Sequence, residues 1–277
     1  MKSQWDCLLQ NLGAWEGSFT RLSPQGSVIE DTPTLVTLEG LQQQQTIRQT
    51  IRRYYPHQVP QETVLEYSTL GRGILFFETG AFSQGSIQLA PSTEFGAEFG
   101  FIEGDRRWRL VELFDPQGNL KQFTLIRERR AGSSAPESPS LQVADLVGTW
   151  QGEAVTLSPD WRSETCRTTL QITLAGDHHL EQQLTFGDGP GSRRIGSTAQ
   201  ILGSSLRFEQ GDQPVQVLLL PQGGSATCPL RLQPGQPFFL EAGWLSQPDR
   251  RQRLIRQYDE KGGWVSLTLV TEQKTHF

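Results

Sequence analysis

The residues best placed to do chemistry are a carboxylate and a guanidinium brought close together by strand spacing. In Glu94-Phe-Gly-Ala-Glu98-Phe-Gly100-Phe101, alternation puts Phe95, Ala97, Phe99 and Phe101 on one face, and Gly96, Glu98 and Gly100 on the other. A carboxylate flanked by glycines marks a place where something bulky comes close to the backbone. The next strand carries Arg109. If the turn at Gly104-Asp105 is tight, Glu98 and Arg109 lie opposite or diagonal on one face. Glu241, beside Gly243, and Arg253 repeat the arrangement. An arginine fork grips a carboxylate through two parallel hydrogen bonds, so such a pair inside a barrel can orient the polar head of a ligand. It can equally satisfy itself and pin the strand register, since both charges need pairing once buried. The structural role is favoured, because two copies keep a scaffold more readily than they keep identical ligands.

Other candidates are weaker. Arg48 and Arg52 share the face opposite Ile47 and Ile51. Turned inward they would form an anion-binding pocket; turned outward they are solvated surface, which is the favoured reading. His178 and His179 are adjacent, so on a strand they point to opposite faces, and no third ligand is near; no metal is expected, and whether a cofactor binds is left open. Cys7 reads as a small buried apolar residue in preference to a nucleophile. No GxSxG, P-loop, GxGxxG or HExxH is present, and Glu66, Glu78 and Glu112 show no catalytic pairing.

These residues are carried by a duplicated unit. Gly13-Ala-Trp15-Glu-Gly17 recurs as Gly148-Thr-Trp150-Gln-Gly152, 135 positions on, and Leu22-Ser23-Pro24 recurs at the same offset. Asp105-Arg106-Arg107 recurs as Asp249-Arg250-Arg251, 144 positions on, and the same shift carries Arg109 onto Arg253 and Glu128 onto Glu272. Preserved order at both ends identifies a domain repeat. The expected domains are residues 1–131 and 141–277, with a linker of small residues and proline at 132–140. Period-two patterns such as Thr46–Arg52, Trp108–Phe114 and Thr165–Leu174 give about eight to ten short strands per copy. Asp-Pro-Gln-Gly at 115–118 and Asp-Glu-Lys-Gly at 259–262 read as hairpin turns. Trp5, Leu8, Leu9 and Leu12 fall at helical spacing after Ser3, a helix-capping residue, and Leu141–Val147 is a shorter counterpart. Each copy therefore begins with a helical plug, followed by the strand carrying Gly-x-Trp.

Composition bounds the role. The chain has 277 residues and a net charge of −5, so no positive field favours nucleic acid or an anionic membrane. Three cysteines, Cys7, Cys166 and Cys228, form no metal-ligating cluster and suit a reducing compartment, with a Cys166–Cys228 bridge left open. No apolar run is long enough for a signal peptide or a membrane span, so the protein reads as soluble and cytoplasmic.

A Gly-x-Trp opening the first strand after a helical turn, followed by a strand meander, resembles the lipocalin or calycin superfamily. That resemblance implies that Trp15 and Trp150 each close one barrel end against an arginine late in the last strand. Arg127 or Arg129 is then the partner of Trp15; Thr271 stands at the position matching Arg127, and Lys274 is a poorer substitute. The whole chain resembles a family of uncharacterised cyanobacterial and plastid proteins with two lipocalin-like halves, through NLGAWEGSFTRLSPQG, LEYSTLGRGILFFETGAFSQGSIQL and EFGAEFGFIEGDRRWRLVELFD. The resulting expectation is an all-β protein of two tandem antiparallel lipocalin-like barrels. Its expected role is non-catalytic binding of a hydrophobic or amphipathic small molecule, such as a tetrapyrrole, carotenoid or lipid. The alternatives are a bilin lyase-like enzyme, as the resemblance implies, and a protein-binding scaffold or assembly factor with filled barrels.

Overall fold

The computed structural model describes residues 2–211 and 213–275, and strands dominate it. In the first half, nine strands run β1 (Gly13–Leu22), β2 (Val28–Leu41), β3 (Thr46–Arg53), β4 (Gln61–Tyr67), β5 (Ile74–Phe76), β6 (Phe82–Gly85), β7 (Phe95–Glu103), β8 (Arg106–Phe114) and β9 (Leu120–Arg130). They form one sheet in the order β4-β3-β2-β1-β9-β8-β7-β6-β5, so pairing follows the chain around the sheet and leaves edges at β4 and β5. The second half closes completely. Its ten strands are β10 (Gly148–Leu157), β11 (Ser163–Leu174), β12 (His179–Phe186), β13 (Arg193–Leu202), β14 (Ser205–Phe208), β15 (Val215–Leu219), β16 (Gly224–Pro229), β17 (Phe238–Gln247), β18 (Arg250–Tyr258) and β19 (Trp264–Thr275). They make a barrel in which β10 pairs antiparallel with both β11 and β19. The all-β class and the repeat are as expected.

By compactness the chain divides into two units. One comprises residues 1–85, 96–113 and 121–136; the other comprises 86–95, 114–120 and 137–277. Within the second unit, Leu89 N–H donates to the Gly262 carbonyl and Leu120 N–H to the Leu230 carbonyl. Phe95 meets the rings of Phe238 and Tyr258 edge-on.

The expected plugs and turns are present. Helix α1 (Gln4–Leu8) is capped by Ser3, whose Oγ accepts from Asp6 N–H, and α2 (Val143–Leu146) stands at the matching point of the second copy. Gln4 also shields the edge of β5: its side-chain amide donates to the Phe76 carbonyl and accepts from Phe76 N–H, as a neighbouring strand would. Asp115 and Asp259 fold the two hairpins by accepting from N–H groups two and four residues on, before Gly118 and Gly262 at positive φ.

The Gly-x-Trp-x-Gly repeat has a steric explanation. Gly13 and Gly148 adopt φ of +125° and +132°, open to glycine and strained for other residues. Gly17 lies opposite Glu128, and a Cβ there would come within 1.8 Å of the Arg127 carbonyl oxygen. Gly152 faces Glu272 in the same way. Between each pair of glycines a tryptophan, Trp15 or Trp150, is completely buried.

Gly17→Ala is expected to destabilise the fold by about 1–3 kcal/mol, because the β1–β9 backbones would have to separate. Gly71→Ala, at a site whose Cβ would meet nothing closer than 3.8 Å, is the control and should leave the urea midpoint unchanged. Equal midpoints for the two variants would show that the close strand approach carries no stability.

Candidate functional site

Beneath Trp15, four charged side chains from three adjacent strands meet inside the first unit. Glu128 of β9 has a fully buried side chain. Its Oε2 accepts from Arg107 Nε at 2.7 Å and Arg109 Nε at 3.1 Å, and its Oε1 accepts from Nη2 of each at 3.0 Å. Arg109 turns its Nη1 to Glu98 Oε1 at 2.6 Å, and the other Glu98 oxygen accepts from Gln84 Nε2 at 2.6 Å. The pair foreseen between Glu98 and Arg109 therefore exists, as one edge of a larger network.

The network also supports the tryptophan. Arg107 and Arg130 stack on the Trp15 indole with their guanidinium carbons 4.6 and 4.5 Å from a ring centroid, a cation–π geometry. Trp15 Nε1 donates to the Asn11 carbonyl and Arg130 Nη1 to the Leu12 carbonyl, which ties the plug to the sheet. The late-strand arginine is thus Arg130, not Arg127 or Arg129. Trp15 and Arg130 are direct cross-strand partners, whereas Arg127 turns away to donate to Ser18 and Thr20, and Arg129 pairs with Glu16 at the surface.

The second unit repeats the design. Arg251 Nε donates to Glu272 Oε1 at 2.5 Å, Arg253 Nε to the same atom at 3.1 Å, and Arg253 Nη1 approaches Glu241 at 3.4 Å. Arg251 and Lys274 stack on Trp150 at 4.8 and 5.3 Å, and Lys274 Nζ also donates to the Asp145 carbonyl. Lys274 matches Arg130 at the 144-residue offset, so the substitution keeps the cation and loses the planar fork.

Burial opposes ionisation of Glu128, but Arg107 and Arg109 outweigh it and hold the carboxyl below its usual range. Glu272 is held down in the same way by Arg251 and Arg253, against its own burial. For Arg109, Glu128 and Glu98 overcome burial and keep the guanidinium charged.

Above this network the first unit holds a cavity of about 520 Å³. Leu8, Phe19, Val36, Leu38, Ile51, Phe76, Phe82 and Ile126 supply apolar wall, while Asn11, Gln49, Tyr67, Gln84, Glu98, Arg107, Arg109 and Thr124 supply polar wall. Leu65 lines the cavity yet is 49% exposed, so the mouth lies along edge strand β4. Asn11 is 2% exposed; its Nδ2 donates to the Gly80 carbonyl, and its Oδ1 accepts no hydrogen bond from the protein.

The other candidates lie outside the cavity. Arg48 and Arg52 are on the outer face of β3, half-exposed and paired with Glu66 and Glu62, because Ile47, Gln49 and Ile51 take the inward positions. His178 and His179 are exposed, and no metal-binding group of His, Cys, Asp or Glu occurs among the described residues. Cys166 and Cys228 are free, one exposed and one buried, so the bridge left open does not form. Cys7 packs in the core beside Leu8 and Trp15, and burial pushes its thiol up. Arg107, Arg130 and the cavity residues Asn11, Gln49 and Tyr67 were not among the candidate site residues. Arg107 and Glu128 did leave a signal, since each recurs as a charged residue at the matching position of the second copy.

Residues 1–133 match the N-terminal domain of DUF3598, a domain of unknown function. A protein of unknown function from the DUF3598 family of Nostoc punctiforme PCC 73102, known from its crystal structure, is 51% identical to this chain. The alignment covers 99% of this chain and all of that one, with a TM-score of 0.93. This chain belongs to the DUF3598 family. Its residues 137–275 also match the C-terminal domain of a family described as biogenesis factor required for ATP synthase 1. The S-type phycobiliprotein lyase of Guillardia theta aligns with 12% identity over 48% of this chain and 90% of its own, at a TM-score of 0.40, too low to carry an argument. No protein with a curated description matches the chain. No helix among the described residues is long and apolar enough to cross a membrane.

In this DUF3598 protein, Glu128→Gln is expected to cost about 3–5 kcal/mol, because it takes the carboxylate partner from buried Arg107 and leaves Arg109 with Glu98 alone. The depressed carboxyl of Glu128 contributes stability that is complete above its unfolded-state value, about pH 4.3. That contribution is lost as pH falls from there through the folded value. Urea midpoints measured from pH 7 down to pH 3 should therefore decline more steeply for the native protein than for the variant. Parallel curves would assign the acid sensitivity to other groups.

Proposed function

We propose that the first unit binds a hydrophobic or amphipathic small molecule without chemically altering it. The observation that carries this reading is the cavity, whose volume of about 520 Å³ falls within the range that encloses small ligands. Its wall is an apolar surface with a few convergent polar groups, the composition that holds an apolar body and orients a polar end. The buried carboxylates on this side are occupied by arginines, which supports binding over acid–base catalysis. The bilin lyase-like alternative keeps only the support of the sequence resemblance.

The neutral dye N-phenyl-1-naphthylamine should gain fluorescence on the protein at micromolar concentration. Ile51→Trp, which projects an indole into the cavity, should abolish the gain while preserving the circular dichroism spectrum. A dye signal unaffected by Ile51→Trp would place binding outside the cavity and remove this reading.

A second reading, an assembly factor acting through its surface, is supported by the match of residues 137–275 to a biogenesis-factor domain. Co-migration of the purified chain with purified ATP synthase subunits on size exclusion would support it; separate elution at micromolar concentration would count against it.

A further inference from the structure

We propose that the cavity selects electrically neutral amphipaths, whose polar end is a hydroxyl, ketone or amide, over carboxylates and phosphates. This rests on the small-molecule reading of the same site and narrows it by charge.

Arginines in a binding wall ordinarily point to an anionic ligand. Here they do not. Arg107 and Arg109 carry two positive charges, and Glu128 and Glu98 carry two negative ones, all within one hydrogen-bonded group. Arg109 spends its Nε, Nη1 and Nη2 on carboxylate oxygens, and Arg107 divides itself between Glu128 and the face of Trp15. An incoming carboxylate would have to displace Glu98, whose side chain is 14% exposed and is held beside Arg109 by the chain itself. The displaced anion would then be left without its partner at a poorly hydrated site, which opposes the exchange. A ligand anion would also give up its own hydration with no uncompensated cation to replace it.

The remaining polar wall is neutral. Gln49, Tyr67 and Thr124 offer amide and hydroxyl groups, and burial pushes the Tyr67 phenol up, so it stays protonated and able to donate. At Asn11 the bond from Nδ2 to Gly80 sets the amide orientation and leaves Oδ1 as an acceptor.

The test is displacement of N-phenyl-1-naphthylamine from the full chain by decan-1-ol and by decanoate at pH 7.5, which share one apolar body. Decan-1-ol is expected to bind about tenfold more tightly or better, a difference of roughly 1.4 kcal/mol. Glu98→Gln uncovers one charge of Arg109, and the affinity for decanoate relative to decan-1-ol should then rise about tenfold. Decanoate equal to or tighter than decan-1-ol on the native chain overturns the charge selection while leaving the cavity reading intact. A Glu98→Gln chain with an unchanged preference also overturns it. Failure of the dye and of both ligands to bind removes the cavity reading, and this inference with it.

Discussion

The first unit depends on a carboxylate shut away from the surface. Glu128 is fully buried, and an isolated buried charge is prohibitive, so its two arginines must be present and correctly aimed. That requirement propagates. Arg107 is oriented by Glu128 below and the Trp15 ring above, and Trp15 in turn holds the plug carbonyl at Asn11. Glu128 lies directly across the strand pair from Gly17, the residue whose missing side chain lets β1 and β9 come together. The Gly-x-Trp-x-Gly signature and the distant arginines and glutamate are therefore parts of one packing solution. The same solution appears around Glu272 in the second unit.

The two copies have drifted around that shared frame. The second keeps the paired arginines and the glutamate, but its stacking cation is Lys274 and its outer pair, Glu241 with Arg253, is stretched to 3.4 Å against 2.6 Å for Glu98 with Arg109. Its sheet closes through ten strands, whereas the first sheet stays open between its end strands β4 and β5. The open seam and the cavity belong together: Leu65 and Tyr67 of β4, and Ile74 and Phe76 of β5, all line it. A charge network that satisfies itself internally also makes a quiet wall, one that structures the cavity without setting its net charge.

Much of this was legible in the residues. The repeat, the paired hairpins after Asp115 and Asp259, the plug capped by Ser3 and the pairing of Glu98 with Arg109 all follow from spacing, because each depends on local backbone chemistry or on the period of a strand. The errors share one physical source. A strand pattern has a period of two, so it separates residues into two faces without saying which face is the interior. On β8 even that contrast fades, since Arg107 and Arg109 are buried on one face and Trp108 and Leu110 on the other.

What the sequence determined by itself was therefore the set of elements, their order and their duplication, because these are written in local spacing and repeated identity. The tertiary structure alone decided the register that sets Arg130 opposite Trp15 and turns Arg127 and Arg129 away from it. It also decided that β4 and β5 stay apart to leave a cavity. Each of these depends on which side of a strand meets residues far away in the chain, and a shift of one residue reverses that side.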